Sequence, residues 1–156
     1  MTDTKRWRYG DTNPVIVPVL AETMIEIGDL VYQDVDNAKP ADHAGRGRVW
    51  IWDTDVTTSQ KAFRELFLGV ALQRSWFGET DEIRVATTGV FEFGTYAETY
   101  ELGDMVAVAQ TYGSCSLANQ HVAEASRDRA IGRVARRNGT SDCTVLVDIR
   151  STVMGR

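Results

Sequence analysis

The chain has 156 residues, 43% hydrophobic and 25% charged: enough for one domain with a core, too few for two, too apolar for a disordered tail. Its net charge of −5 is the wrong sign for a protein that wraps nucleic acid. No apolar run reaches the ~18 residues of a membrane span, and Met1–Arg8 lacks the apolar stretch of a secretory signal.

Residues 1–20 read as an extended arm ahead of a single domain over 21–156. Pro14 and Pro18 bracket Val15-Ile16-Val17, and proline cannot donate to a sheet ladder from a central strand. The segment is therefore expected as an arm or edge strand, tipped by the basic and aromatic residues Lys5, Arg6, Trp7, Arg8 and Tyr9.

Short strands separated by turns follow. Leu30–Tyr32, Val49–Trp52, Gly69–Leu72, Ile83–Val85, Val90–Phe93, Met105–Val108, Val122–Ala125, Ile131–Val134 and Val145–Ile149 all have strand length. Ile83 and Val85 alternate with Arg84, as a half-buried strand requires. Gly28-Asp29, Gly78-Glu79, Gly103-Asp104 and Asn138-Gly139 punctuate the series. Only 57–67 breaks the pattern: Thr57, Thr58 and Ser59 suit a helix start, and Ala62, Phe63, Leu66 and Phe67 share one helical face. Residues 34–48 and 111–119 read as surface loops. The fold expected is all-β, a small β-barrel or sandwich with one short helix and the arm.

Charge is unevenly spread. From Arg127 onward, seven arginines and three aspartates give +4, which leaves −9 on the first 126 residues. Such a body can associate head to tail with its own copies or lie on a charged protein surface; solvated faces of opposite sign are the plainer reading. Cys115 and Cys143 cannot build a disulfide framework and suit a reducing cytoplasm.

The two halves echo each other. Ile27-Gly28-Asp29-Leu30-Val31 returns as Leu102-Gly103-Asp104-Met105-Val106. Leu68-Gly69-Val70-Ala71 returns, one residue longer, as Ile131-Gly132-Arg133-Val134-Ala135. Ile83-Arg84-Val85 and Val145-Leu146-Val147 then close each half. Glycine gives the turn its positive φ and aspartate bonds back to nearby amides, so Gly-Asp launches a strand. Gly69 and Gly132, inside strand-like runs, suggest bulges or bends.

This order of motifs, with Ile83-Arg84-Val85-Ala86-Thr87-Thr88-Gly89-Val90-Phe91-Glu92-Phe93 between them, resembles the capsid cement, or head-decoration, proteins of tailed bacteriophages. The resemblance runs from Ile25 to Ile149. It implies a small β-barrel, often a homotrimer, on the outer face of the head, reinforcing contacts between major capsid proteins. It implies synthesis in the bacterial cytoplasm, no cofactor, and the capsid protein and sister subunits as partners. The arm, the 34–48 loop and the 57–67 helix are longer than the family pattern leads one to expect.

Residues suited to chemistry are scattered. His43 and His121 have no second His or Cys at a metal-ligand spacing, and Cys115 and Cys143 form no Cys-x-x-Cys pair. Asp34 with Asp36, and Asp53 with Asp55, have a spacing compatible with a cation or a carboxylate pair; turn chemistry is the commoner use. No phosphate loop, nucleophile elbow or zinc-helix motif occurs. The expectation is therefore no catalytic, cofactor or metal residue, and an adhesive role without direct contact to nucleic acid or membrane. Trp7, Tyr9, Trp76 and Phe77 are expected at subunit or capsid contacts, and Val15, Ile16 and Val17 as anchors for strand addition to a neighbour. Trp50 and Trp52 share a strand face that is either core or an exposed platform, which would suit a carbohydrate-binding domain. A β-barrel hydrolase would need Asp53 and Asp55, or His121, in a cleft.

Overall fold

The computed structural model describes residues 6–43, 56–96, 98–111, 117–139 and 143–155. Eleven strands and one helix of ten residues occur among them, so the fold is mainly β. The strands are β1 (Trp7–Tyr9), β2 (Val15–Val17), β3 (Leu30–Asp34), β4 (Asn37–Pro40), β5 (Phe67–Ala71) and β6 (Ile83–Ala86). They continue as β7 (Thr88–Gly94), β8 (Met105–Gln110), β9 (Leu117–Glu124), β10 (Gly132–Val134) and β11 (Thr144–Arg150). The helix α1 spans Val56–Glu65.

Two sheets result. One runs β2-β6-β5-β3-β4; the other runs β1-β7-β11-β10-β8-β9. A parallel bridge between Gly94 and His121 joins β7 to β9 and rolls the second sheet into a near-barrel ring. In the first sheet, the Ala38 amide donates to the Pro18 carbonyl at 3.0 Å, linking β4 to the end of β2.

With β1 set aside, both sheets have the same order, β2 through β6 matching β7 through β11. The echo in the sequence is this duplication. Gly28 donates to the Ala71 carbonyl at 2.9 Å and Gly103 to the Val134 carbonyl at 2.9 Å. Ala71 and Val134 answer with bonds to the Asp29 and Asp104 carbonyls. The Asp29 carboxylate accepts the Glu26 amide, and Asp104 that of Glu101, both at 2.9 Å. The lone bridges Ile25–Ser75 and Tyr100–Asn138 also correspond.

Interior positions correspond too. Val17, Ile25, Val31, Ala38, Leu68, Ala71, Ile83 and Val85 fill a small core. Their counterparts Phe93, Tyr100, Val106, Val122, Ile131, Val134, Val145 and Val147 belong to a larger one. That larger cluster also takes in Leu30, Tyr32, Phe67 and Val70 from the opposite face of the first sheet, so it joins the halves. Strand alternation explains this: Val31 points into one cluster, Leu30 and Tyr32 into the other.

Four expectations change. Phe67 lies in β5, because the chain turns at Leu66, whose amide bonds the Phe63 carbonyl at 3.1 Å; α1 ends at Glu65. Phe63 and Phe67 still pack, with ring centroids 5.7 Å apart. Residues 34–40 form a hairpin rather than a loop, with Val35 at φ 57° in its turn. Gly69 lies beside a bulge in β5, whereas Gly132 sits in regular register with a backbone carbonyl of β11 packed against it. The arm, last, narrows to the edge-strand reading: from Arg6 onward β1 pairs with β7 and β2 with β6, each at the edge of its sheet, while Val17 and Val19 are buried. Val49–Trp52, Asp53, Asp55 and Cys115 fall outside the described residues.

Candidate functional site

The exposed aromatics divide between two places. Trp7 and Tyr9 stand on β1, 40% and 51% exposed, and the Trp7 indole donates to the Gly10 carbonyl at 3.0 Å. Trp7 also walls a cleft of about 540 Å³ with Ile27, Leu72 and Phe91. Trp76 and Phe77 occupy the turn between β5 and β6, where Phe77 is 68% exposed and the Arg74 guanidinium lies 5.5 Å from the Trp76 ring centre. The Gly78 amide ties this turn to the Ala21 carbonyl. No ring contact joins the two pairs.

The proposed strand anchors do not act together. Val15 is half-buried and Val17 faces the small core, whereas Ile16, 63% exposed, faces outward. A period of two turned Val15 and Val17 inward once β2 paired with β6.

A polar link between the halves has no signature in the sequence. Gln120 on β9, fully buried, donates to the Asp29 carboxylate at 2.9 Å and to the Ile27 carbonyl at 3.3 Å. The Gln120 carbonyl oxygen accepts from Arg6 Nε at 2.7 Å, and Arg6 also donates to the Glu92 carbonyl at 3.0 Å. Burial pushes the Asp29 carboxyl up to about 6 against the pull of its bonds from Gln120 and Glu26. Arg6, read as part of a sticky tip, is thus a bolt between the halves.

His121 packs under Gly94 and 6.0 Å from the Tyr96 ring; burial, and then the Arg6 charge, keep its pKa below the ordinary value, so the imidazole is neutral at pH 7. Asp34 pairs with Lys39 at 2.9 Å rather than with Asp36. Cys143 is exposed. Among the described residues, no group of three or more His, Cys, Asp or Glu can hold a metal ion, and no helix is long and apolar enough to cross a membrane.

Arginines from distant parts of the chain do converge. Arg64, Arg127, Arg133 and Arg150 line an open groove of about 380 Å³ on the second half. The +4 charge of the last thirty residues signalled a basic face, though not its shape.

No protein-family model and no curated protein matches the chain.

Proposed function

We propose that the chain is a decoration, or cement, subunit of a tailed-bacteriophage head, bound to the outer face of the capsid and bridging major capsid proteins. The observation that supports this is the agreement between motif and frame. The Gly-Asp turns, and Gly69 and Gly132 of the motifs that follow them, take equivalent positions in two strand assemblies of one order. A duplicated, closed β unit of this kind is a stiff block whose outer surface can be spent on contacts. Trp7, Tyr9, Trp76 and Phe77 supply aromatic area for them, and Ile16 adds an outward apolar side chain. Contacts to the capsid and between sister subunits can each be weak, because repetition on a symmetric shell multiplies them.

The test compares heads with and without the protein, heated in the presence of a dye that reports released DNA. Decorated heads should hold their DNA to a higher temperature, since a ligand that binds only the intact lattice stabilises it. Equal release temperatures would remove the cement role. Loss of binding on replacing Trp7, Tyr9, Trp76 and Phe77 by alanine would place the contact on those residues.

A further inference from the structure

The duplication exposes a face in one half that it buries in the other. Leu30, Val70 and Ala86 stand on the face of the first sheet that packs into the shared core. Their counterparts, by the matched registers, are Met105, Arg133 and Asp148. These three line the arginine groove with Arg64, Arg127 and Arg150. The face that joins the halves has thus become open and basic where no third half follows.

Four guanidinium groups around one carboxylate, in a chain of net charge −5, repel one another. The guanidinium groups of Arg127 and Arg150 have no hydrogen bond or ion pair among the described residues, only the backbones being bonded. Arg133 gives one donor to the Gly103 carbonyl. Arg64 reaches only its neighbour Glu65, at 3.9 Å, and its Nε is buried without a partner. A set of donors left this free inside the monomer is suited to carboxylates from outside.

We propose that this groove receives, head to tail, the acidic turn between β5 and β6 of a second copy of the chain. That turn, Trp76 to Glu82, is exposed throughout and carries Glu79, Asp81 and Glu82. Its net −3 matches the +3 of four arginines and one aspartate. Phe77 brings apolar area to Met105 and Ala130 at the groove wall. The contact uses different surfaces on the two copies, so repetition closes a ring or runs on as a chain. The proposal rests on reading the chain as a subunit that meets its own copies.

Sedimentation velocity on the full chain tests it. Wild-type protein should associate at about 0.05 M salt and bind itself about ten-fold more weakly, or less tightly still, at about 0.5 M, where the Debye length has shortened. Arg127→Glu/Arg150→Glu and Glu79→Lys/Asp81→Lys/Glu82→Lys should each stay monomeric, and mixing the two should restore a complex. Arg127→Gln/Arg150→Gln, expected to keep the wild-type melting curve, should weaken association without reversing it. A wild type monomeric at both salts, charge reversals that leave association unchanged, or folded variants that fail to complement would each overturn the contact. Charge-reversed monomers that still bind heads would leave the cement reading standing. Self-association without any head binding would remove the cement reading and leave the groove.

Discussion

Along the outer edge of β7, the Glu92 amide donates to the Arg6 carbonyl at 2.9 Å, and β1 covers the strand. The counterpart edge in the first half is β2; among the described residues no strand lies against it at Ile16, and β4 reaches it only at Pro18. Ile16 there sits opposite Arg84, whose carbonyl accepts from Leu72, so the Ile16 amide and carbonyl face away from β6. Pro14 and Pro18, two residues to either side, have no N–H to offer. One half guards its edge with a strand, the other with prolines. The Gly-Asp turns diverge as well. Asp29 is buried beneath Gln120, whereas Asp104 is partly exposed and its neighbour Leu102 is 72% exposed. The shared frame fixes backbone geometry; what differs is which faces a neighbour covers.

The frame itself should break hardest where backbones approach. A Cβ on Gly69 would collide with the Ala86 carbonyl oxygen, at a φ of 157° that side chains rarely adopt. On Gly132 it would meet the Asp148 carbonyl oxygen at 2.5 Å. Neither obstacle is a flexible side chain. Gly69→Ala should cost about 4 kcal/mol or more and Gly132→Ala about 1–3, read by urea unfolding. Equal costs would mean that the two sites are strained alike and that the first half is not the tighter of the two.

Asp29 offers a sharper difference, in pH. Its folded pKa, about 6, lies above the ordinary 3.8, so between those values the folded state binds more protons than the unfolded. Stability from this group is therefore greatest at acid pH, falls by about 3 kcal/mol as pH rises from about 4 to about 6, and is flat above. Glu92 acts in the opposite sense. Burial alone would raise its pKa, but hydrogen bonds from Arg8 and Thr144 and the charges of Arg8 and Arg6 bring it below the ordinary value. Its stabilisation is present at neutral pH and is lost as pH falls through that depressed value. The informative curve is thus wild type minus Asp29→Asn, from denaturation at a series of pH values. A difference with no slope between about pH 4 and 6 would show that Gln120 does not bury an ionisable Asp29.

Much of the frame was legible because its causes are local. The Gly-Asp turns, and the placement of Ile83 and Val85 inside with Arg84 outside, depend on residues one to three apart. β4 was hidden because Asn37 and Lys39 look like loop, and only the Asp34–Lys39 pair and the Pro18 contact show why they hold a strand. Phe63 and Phe67 share a helical spacing that persists after the helix has ended. The bolt of Arg6, Gln120 and Asp29 joins residues more than ninety positions apart, and no period points to it. The same is true of the groove: Arg64 and Arg150 become neighbours only once α1 lies against β8 and β11 pairs with β10.

The smallest expected effect on stability is the most telling about edges. Pro14→Val with Pro18→Val would return one N–H donor to the open side of β2, at 14, and one at 18 toward the end that β4 meets. It should cost only about 0.4–1 kcal/mol per site, because proline's main benefit here is a stiffer unfolded chain. Association should change far more than stability. Donors at 14 and 16 would offer a ladder beside an exposed Ile16, and the variant should dimerise or aggregate at concentrations where the parent does not. Backbone pairing of that kind is insensitive to salt, which separates it by light scattering from a contact built on arginine and carboxylate. If the double variant stays as dispersed as the parent, the prolines are not what protects this edge. The exposed Arg84 beside Ile16 would then carry that role, and Arg84→Thr in the same background should release it.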